Sequence, residues 1–333
     1  MKIVEGEYID SQAWAELVRC SPVATWFQTQ EAYNFYCGLS FLDAFAYAVE
    51  EEGQLKGIVV GYIQRDGGKL KRFFSRRAVI LGGPLLQDGI TGDEFGSLLD
   101  ALKKGIEKKV IFLEIRNFHD YSTFQPIYSR YGYVYEPHYD VQVNTTSMEM
   151  VIGKLDRNRK RNIKKALENG IVLDESPTAD DMKQYYMMLE RLYATKVKTP
   201  LFPFEFFEKL RLCPSSLFIM AKNTTGQLLG GLVCVVSKNR SVYAWMACAD
   251  DANNKTLFPS VMVNYAGICY AVDHGIPRFD FMGAGKPDDG GYGVRDFKLK
   301  FGGELLELGR YSYIYNPFLY NLGKLAVRIL KKL

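Results

Sequence analysis

Residues 279–303 read FDFMGAGKPDDGGYGVRDFKLKFGG, and this stretch decides the fold because a strand, a glycine-rich loop and a helix follow one another in it. The β-like run at 278–282 stops at a glycine, and further glycines interrupt the ten residues after it. Phe297 and Phe301 are four residues apart, so they share one face of the following helix, while Lys298 lies on another. The pattern therefore leaves Lys298 free to point toward a ligand.

The chemistry of this stretch fits a negatively charged ligand. Glycines let the backbone approach a ligand closely, and the start of a helix adds partial positive charge. Lys298 and the backbone N–H groups between Gly283 and Gly293, including that of Gly285, are therefore candidate donors to a phosphate or a developing oxyanion. The alternative is a flexible loop before an amphipathic helix whose lysines are solvated.

The composition is that of an ordinary globular protein with room for about two domains. The chain has 333 residues, 47% hydrophobic and 24% charged, and its net charge is only +4. A polyanionic partner must therefore meet a local basic patch, because the overall charge is small. Residues 1–7 lack the apolar core of a signal peptide, and no run reaches the ~18 apolar residues of a spanning helix, so we predict a cytoplasmic protein.

The cysteines and histidines form no metal-binding pattern in the sequence. Six cysteines are scattered, mostly in apolar surroundings and without a CxxC pair, and three histidines accompany them. We expect reduced, buried thiols and no metal site. A cysteine nucleophile stays open, because distance along the sequence says little about a histidine partner.

Two short echoes predict an internal duplication. GQLKG at 53–57 and GQLLG at 226–230 are 173 residues apart, and the aromatic-glycine pairs at 131–132 and 301–302 are 170 apart. Strand-like and helix-like runs accompany the echoes in the same order in both halves. We therefore predict an α/β fold with mixed sheets, built as two tandem domains related by duplication.

The domain limits follow from these echoes. We expect a first domain at 1–148 and a second at 149–315. The helix at 316–333 is amphipathic, with apolar residues such as Phe318 on one side and cations such as Lys324 on the other. It either touches a membrane surface, such as the inner leaflet, or packs back on the first domain, and we expect the packing. A cleft between the domains is the default ligand site.

Between the two halves lies the strongest charge run of the chain. From Lys154 to Lys165 seven residues are basic and only Asp156 is acidic. Asp156 fits the N-cap of a helix that Gly170 ends. One stripe of this helix carries Arg157, Lys160, Arg161 and Lys164. Such a stripe suits a phosphate backbone, a nucleotide diphosphate or an acidic membrane surface, and a solvated helix face is the alternative. Further along, Lys198 either lines the cleft or solvates a helix end.

Four motifs together resemble the FemABX family. They are WFQTQ at 26–30 with the aromatic helix that contains Tyr36, RNIKKA at 161–166, VYAW at 242–245, and the segment 280–303 with its Asp-Phe, Phe-Lys and Phe-Gly-Gly steps. The resemblance spans most of the chain. It implies tandem acyltransferase domains of the GNAT superfamily, which transfer an amino acid from aminoacyl-tRNA to the stem-peptide amine of a peptidoglycan precursor.

The resemblance also implies roles for particular residues. Lys298 would bind the tRNA acceptor end and stabilise charge at the transferring ester, and Phe297 would shape the site. The precursor, linked to a nucleotide or a lipid, would lie against the first domain and the cleft. Tyr36, Tyr243 and Trp245 belong to the motifs that carry the resemblance and are counted among the substrate-binding residues. Aminoacyl-tRNA is then a co-substrate, and no bound cofactor is expected.

The implied reaction needs fixed donors and, in one version, a base. A neutral amine attacks an activated acyl carbon, and the tetrahedral oxyanion must be stabilised. Glu114 and Asp280 are candidate bases, although the substrate can also remove its own proton. Two other functions stay open: an acyl-CoA-dependent N-acyltransferase, and a non-catalytic binding protein on the same fold. Against the first, neither half contains the Arg/Gln-x-x-Gly-x-Gly/Ala loop expected to hold a CoA pyrophosphate.

Overall fold

The computed structural model describes residues 1–64, 76–289 and 293–332, with the backbone alone at 326–332. The chain divides into two compact units. One contains residues 1–138 together with the segment that begins at 307, and the other contains residues 139–306.

The secondary structure alternates strands and helices in both units. The strands are β1 (Lys2–Glu5), β2 (Leu42–Glu51), β3 (Gln54–Gln64), β4 (Arg77–Gly82), β5 (Leu85–Leu86), β6 (Phe112–Asn117), β7 (Val134–Glu136), β8 (Tyr139–Asn144), β9 (Val172–Asp174), β10 (Ser216–Lys222), β11 (Leu228–Ser237), β12 (Ser241–Ala249), β13 (Arg278–Asp280), β14 (Glu304–Glu307) and β15 (Arg310–Ile314). The helices are α1 (Ser11–Cys20), α2 (Gln30–Cys37), α3 (Gly92–Ile106), α4 (Gln125–Arg130), α5 (Met148–Lys154), α6 (Arg157–Glu168), α7 (Ala179–Leu192), α8 (Phe204–Leu210), α9 (Pro259–Asp273), α10 (Gly293–Leu299) and α11 (Pro317–Lys332). A π-helical turn, Tyr193–Val197, continues α7.

The first unit is built on a mixed sheet. Its strands lie in the order β1-β2-β3-β4-β6-β15-β7, with β5 beside β3. The pair β4 and β6 is parallel, and the other neighbours are antiparallel. Helix α3 buries Phe95, Leu98 and Leu102 in the core, as their helical spacing predicts.

The second unit repeats this plan. Its strands lie in the order β14-β8-β13-β12-β11-β10-β9, and β12 and β13 form the parallel pair. Helix α9 packs on β10, β11 and β12 and is buried on most of its faces. Strand β11 is buried along its whole length. This unit therefore has its own hydrophobic core, and the parallel pair lies in the middle of its sheet.

Each sheet holds a strand from the other half of the sequence. Strand β8 lies between β13 and β14 in the second sheet, and β15 lies between β6 and β7 in the first. Strand β15 begins 171 residues after β8, at 310 against 139, which matches the offset of the sequence echoes. The two equivalent strands are thus exchanged, which is the structural form of the predicted duplication.

This exchange moves the division of the chain away from the predicted limits at 148 and 315. The second unit already begins at Tyr139, because β8 pairs with β13 through Arg278–Asn144 and Asp280–Gln142. It ends at 306, because β15 pairs with β6. Local sequence patterns show that β8 and β15 are strands but carry no information about their distant partners.

Helix α11 belongs to the first unit, where its Tyr320 ring contacts the Phe112 ring with centroids 5.1 Å apart. In the described part of the chain, no helix combines the length and apolar character needed to cross a membrane. The expectation of buried thiols is wrong for Cys20 and Cys37, which are exposed at the last residues of short helices.

Candidate active site

The site is formed where two parallel strands of the second unit separate. Strands β12 and β13 pair only at Val242 with Phe279 and at Tyr243 with Asp280. Strand β13 ends there, whereas β12 continues to Ala249. A pocket of about 610 Å³ occupies the space that opens between the rest of β12 and the segment that leads into α10. The strand, loop and helix of 279–303 therefore form one wall of this pocket.

The opposite wall is shaped by an irregularity in β12. The register with β11 passes from Val233–Met246 to Cys234–Ala244, so Trp245 is the extra residue of a β-bulge. Bulges redirect side chains and are frequent beside active sites. Trp245 lines the pocket and packs edge-on against Phe206 at a centroid distance of 5.0 Å. The predicted binding residue Trp245 thus lies at the pocket, whereas Tyr243 on the same strand is buried in the core and does not line it.

Lys298 is fixed at the pocket by the backbone of the preceding loop. Its ammonium donates to the carbonyl oxygens of Phe281 at 2.7 Å and of Gly283 at 2.5 Å. An ammonium has three N–H donors, and the residues that the structure describes take two of them, which leaves one for a ligand. Burial lowers the pKa of Lys298, and the charges of Asp140 and Asp280 oppose that effect. The predicted Phe-Lys motif therefore presents a held cation to the pocket, which Phe297 also lines.

Two buried carboxyl groups lie behind Lys298. Asp140 and Asp280 are 3% and 0% exposed and form a hydrogen-bonded pair. Burial raises the pKa of both, and for Asp280 the neighbouring Asp140 raises the pKa further. Two adjacent buried carboxyls disfavour ionisation of both at once, and Asp280 does not line the pocket. Asp280 is thus a buried structural acid, which argues against its predicted role as the base.

Asp140 also accepts a hydrogen bond from the N–H of Gly283, which the sequence predicts to be a donor to the ligand. Its Oδ1 accepts from the N–H of Gly283 at 2.8 Å and from that of Val141 at 2.7 Å. The N–H of Gly283 is therefore committed to the protein, contrary to the prediction of an oxyanion donor. Gly285 offers its carbonyl to the N–H of Tyr139 at 2.8 Å. The predicted donors at 290–292 lie outside the described residues.

The turn after β13 explains why glycines stand in this loop. Met282, Gly283 and Gly285 have φ angles of +54°, +93° and +81°. Side chains with a Cβ rarely adopt this region, whereas glycine does so freely. The turn brings the carbonyls of Phe281 and Gly283 together below the Lys298 ammonium. The glycines therefore serve to hold the lysine.

The basic helix α6 has two faces with different roles. Asp156 caps it as predicted, accepting from the N–H groups of Asn158 and Arg159. The residues of the predicted stripe, Arg157, Lys160, Arg161 and Lys164, are all exposed. Lys164 is 3.8 Å from Glu168, an exposed pair of little energetic weight. The stripe therefore remains available to a polyanion.

Arg159 joins this helix to the Phe-Lys motif. It is 6% exposed, its guanidinium lies 4.4 Å and 4.6 Å from the ring centroids of Phe297 and Phe301, and its Nη2 donates to the Phe297 carbonyl at 3.0 Å. Arg159 is not part of the basic stripe predicted from the sequence. Its spacing to Ile163 and Ala166 was the available signal, because it puts an arginine on the apolar face of the helix.

Asp140 was missed as well, and a weaker signal was available. An aspartate next to Val141 inside a β-rich run is unusual, because strands are depleted in aspartate. Such a residue at a buried position needs a specific partner. The partners Gly283 and Lys298 are distant in sequence, so only the fold reveals them.

Three other predicted residues lie away from this pocket. Tyr36 is buried in the first unit, where its ring packs 4.9 Å from that of Tyr62. Lys198 is exposed at the end of the π-helical turn with a φ of +53° and does not line the pocket. The neighbouring Lys196 does line it. Glu114 belongs to the first unit, at the middle of β6.

Glu114 is held as a carboxylate by two arginines. Its side chain is 18% exposed, and its Oε1 contacts Arg116 and lies 2.9 Å from Nη1 of Arg310. Burial alone would raise the pKa of Glu114, but the charges of Arg116 and Arg310 outweigh burial and lower it to about 2. Such a carboxylate is a poor proton acceptor at neutral pH. This environment argues against Glu114 as the base.

The low pKa of Glu114 predicts a dependence of stability on pH. Because the folded pKa of about 2 lies below the usual value of 4.5, the stabilisation is complete above pH 4.5 and is lost as the pH falls through 2. We expect Glu114→Gln to cost about 3 kcal/mol of unfolding free energy at pH 7 and roughly half of that or less at pH 3. Urea unfolding of both proteins at the two pH values measures this difference. An equal cost at both would contradict the assignment.

The N-terminus of α9 also borders the pocket and is already occupied by an acid. The Ser260 N–H donates to Oδ1 of Asp251 at 3.1 Å, and both residues line the pocket. Helix N-termini attract phosphate because their N–H groups are unpaired and positive. Here a carboxylate uses one of these donors and adds negative charge. This end of α9 is therefore unfavourable for a pyrophosphate.

Structural comparison defines the class of fold. The crystal structure of FemX is similar, with a TM-score of 0.73 and 15% identity over 97% of this chain and 99% of that one. The structure of L-PGS from Bacillus licheniformis has a TM-score of 0.58 and 12% identity, covering 98% of each chain. A tandem GNAT protein from the clavulanic acid biosynthesis pathway has a TM-score of 0.55 and 10% identity, covering 95% and 99%. These likenesses confirm the predicted tandem GNAT-like fold.

Within this class of fold, the sequence of the second half resembles one particular family. Residues 211–328 match the model of the FemAB family, and this match contains α9, the pocket wall at 279–303 and β15. The predicted resemblance to FemABX proteins is thereby confirmed. No curated protein sequence matches the chain.

Proposed function

We propose that this protein is an acyltransferase that moves an amino acid from aminoacyl-tRNA to an amine of a peptidoglycan precursor stem peptide. The observation that carries the proposal is the Lys298 ammonium, which two backbone carbonyls hold at a pocket of about 610 Å³ with one donor left for a ligand. The match of residues 211–328 to the FemAB family supports the choice of donor and acceptor.

The proposed reaction needs no covalent intermediate on the protein. The neutral acceptor amine attacks the ester carbonyl, forming a C–N bond, and the bond between the acyl carbon and the ribose oxygen breaks. The proton lost by the amine is taken up by the departing ribose oxygen. Lys298 stabilises the oxyanion formed between these steps. Phe297 and Trp245 line the pocket and restrict the position of the ester.

The basic stripe of α6 supports a nucleic-acid carrier for the donor. Its four cations Arg157, Lys160, Arg161 and Lys164 are exposed on the helix that Arg159 fastens to the carbonyl of Phe297. A phosphate backbone bound on the stripe would lie on the element that supports the Phe-Lys motif. The aminoacyl end of that carrier would then reach Lys298.

The filled N-terminus of α9 supports tRNA over acyl-CoA as the donor. A CoA pyrophosphate needs free N–H donors and positive potential, and Asp251 removes one such donor and opposes the potential. In an aminoacyl-tRNA the phosphates belong to the RNA backbone and need not lie at the N-terminus of α9. The basic stripe on α6 can bind them instead. We also assign the protein to the cytoplasm, where aminoacyl-tRNA is available.

Neutralising the stripe should weaken tRNA binding and flatten its salt dependence. We expect Lys160→Gln with Lys164→Gln to lower the slope of log affinity against log salt by about 1.4 to 1.8, because two phosphate contacts are lost. The matched control is Lys104→Gln with Lys108→Gln, which removes the same charge from exposed positions of the first unit. The measurement is fluorescence anisotropy with labelled aminoacyl-tRNA at several salt concentrations, with acetyl-CoA titrated in parallel. Tight acetyl-CoA binding without tRNA binding would contradict the proposal.

A further inference from the structure

Helix α11 presents an apolar stripe to solvent. Phe318, Leu322 and Leu325 follow one another at spacings of four and three residues, so they share one face, and they are 76%, 43% and 54% exposed. The helix contacts the first unit through another face, where the Tyr320 ring meets Phe112. Packing on its own unit, the role expected from the sequence, therefore leaves the apolar stripe uncovered.

The charge of α11 is entirely of one sign. From residue 317 onward the sequence contains the cations Lys324, Arg328, Lys331 and Lys332 and no aspartate or glutamate. The Lys324 ammonium lies 4.8 Å from the centroid of the Tyr320 ring, on the side of the helix away from the stripe. A helix with an exposed apolar stripe and only positive charges in its sequence is typical of helices that lie in the interface of anionic membranes.

The length of α11 also calls for a partner. Its 16 residues span about 24 Å, and helices of this length are marginal in water unless an amphipathic face is packed. A second copy of the chain would bring two purely cationic helices together, which like-charge repulsion opposes. Anionic lipid headgroups neutralise the cations, and the acyl chains beneath them cover the stripe.

We propose that α11 docks this protein on anionic lipid, with Phe318, Leu322 and Leu325 inserted at the boundary between headgroups and acyl chains. This contact does not depend on the proposed acyl transfer. It would hold the first unit at a membrane surface.

Vesicle co-sedimentation tests the proposal with the full chain. We expect binding to phosphatidylglycerol vesicles at about 0.1 M salt, at least about tenfold weaker binding to phosphatidylcholine vesicles, and loss of binding near 1 M salt. The variant Phe318→Ser, Leu322→Ser, Leu325→Ser should bind phosphatidylglycerol at least about tenfold more weakly. The control Val172→Ser, Met187→Ser, Leu212→Ser changes exposed apolar residues of the second unit and should bind normally.

Three results would overturn the proposal. Equal binding to phosphatidylglycerol and phosphatidylcholine vesicles would show that the cations do not contribute to binding. Normal binding by the α11 variant would show that the apolar stripe does not contribute. The third is a wild-type dimer in sedimentation velocity that the α11 variant abolishes, together with no vesicle binding. That result would assign the stripe to a second copy of the chain.

Discussion

Lys298→Met is expected to lower the rate of acyl transfer by about a thousandfold while leaving the fold intact. Removing one fixed donor to a developing oxyanion costs about 10²–10³ in kcat in enzymes that use such donors. Methionine has an unbranched side chain similar to that of lysine but lacks the ammonium, so the substitution mainly removes the charge and the donor. The pocket side of Lys298 is accessible, so water can satisfy the carbonyls of Phe281 and Gly283 that the variant leaves without their ammonium.

The measurement is single-turnover transfer of a labelled amino acid from aminoacyl-tRNA, followed by mass spectrometry of the acceptor. Lys300→Met is the matched control, because Lys300 is exposed just beyond the end of α10. The circular dichroism spectrum should be unchanged in both variants. Near-normal turnover by Lys298→Met would show that Lys298 does not take part in the reaction.

Asp140→Ala is expected to lower the unfolding free energy by about 3 kcal/mol or more. The substitution leaves the N–H groups of Val141 and Gly283 without their acceptor and removes a charge that opposes the cost of burying Lys298. The loop between β13 and α10 should open first, because the Asp140 carboxylate fastens it at Gly283. Amide hydrogen exchange of peptides covering 281–285 should therefore accelerate more than exchange in the first unit.

Asp174→Ala serves as the control for this experiment. Asp174 is a partly exposed carboxylate that shares Lys222 with Asp181, so its loss should cost only about 1 kcal/mol or less. Urea unfolding at pH 7 compares the two variants with the natural protein. A cost for Asp140→Ala no larger than that of the control would show that the carboxyl pair does not hold the loop.

The local part of the site could be predicted from the sequence. Three features follow from short-range spacing: the order strand, glycine-rich loop and helix in 279–303, the shared face of Phe297 and Phe301, and the Asp156 cap of α6. These features depend on neighbouring residues, whose periodicity is visible without an alignment or a structure.

The rest of the site depends on partners that are distant in sequence. Asp140 reaches Gly283 across 143 positions, and Arg159 reaches Phe297 across 138. The prediction of Gly283 as a ligand donor was wrong for this reason, because its N–H is taken by a residue from β8. The exchange of β8 and β15 between the sheets is likewise invisible to local patterns, since any edge of a sheet can accept either strand.

Exposed and buried charges were also hard to separate in the sequence. Glu114 looked like a candidate base, yet Arg310, which lowers its pKa, is 196 positions away on β15. Arg159 looked like one more cation of a charge run, yet it is the buried member that supports the Phe-Lys motif. Helical spacing alone could have separated Arg159 from its exposed neighbours.

The most direct test of the central claim is a transfer assay with both donors side by side. Purified protein is mixed with a nucleotide-linked peptidoglycan precursor and either a labelled aminoacyl-tRNA or labelled acetyl-CoA, and the products are identified by mass spectrometry. We predict an aminoacylated stem peptide from the tRNA donor, absent with Lys298→Met, and no acetylated product. Acetyl transfer to an amine with no use of aminoacyl-tRNA would contradict the account and assign the pocket to an acyl-CoA.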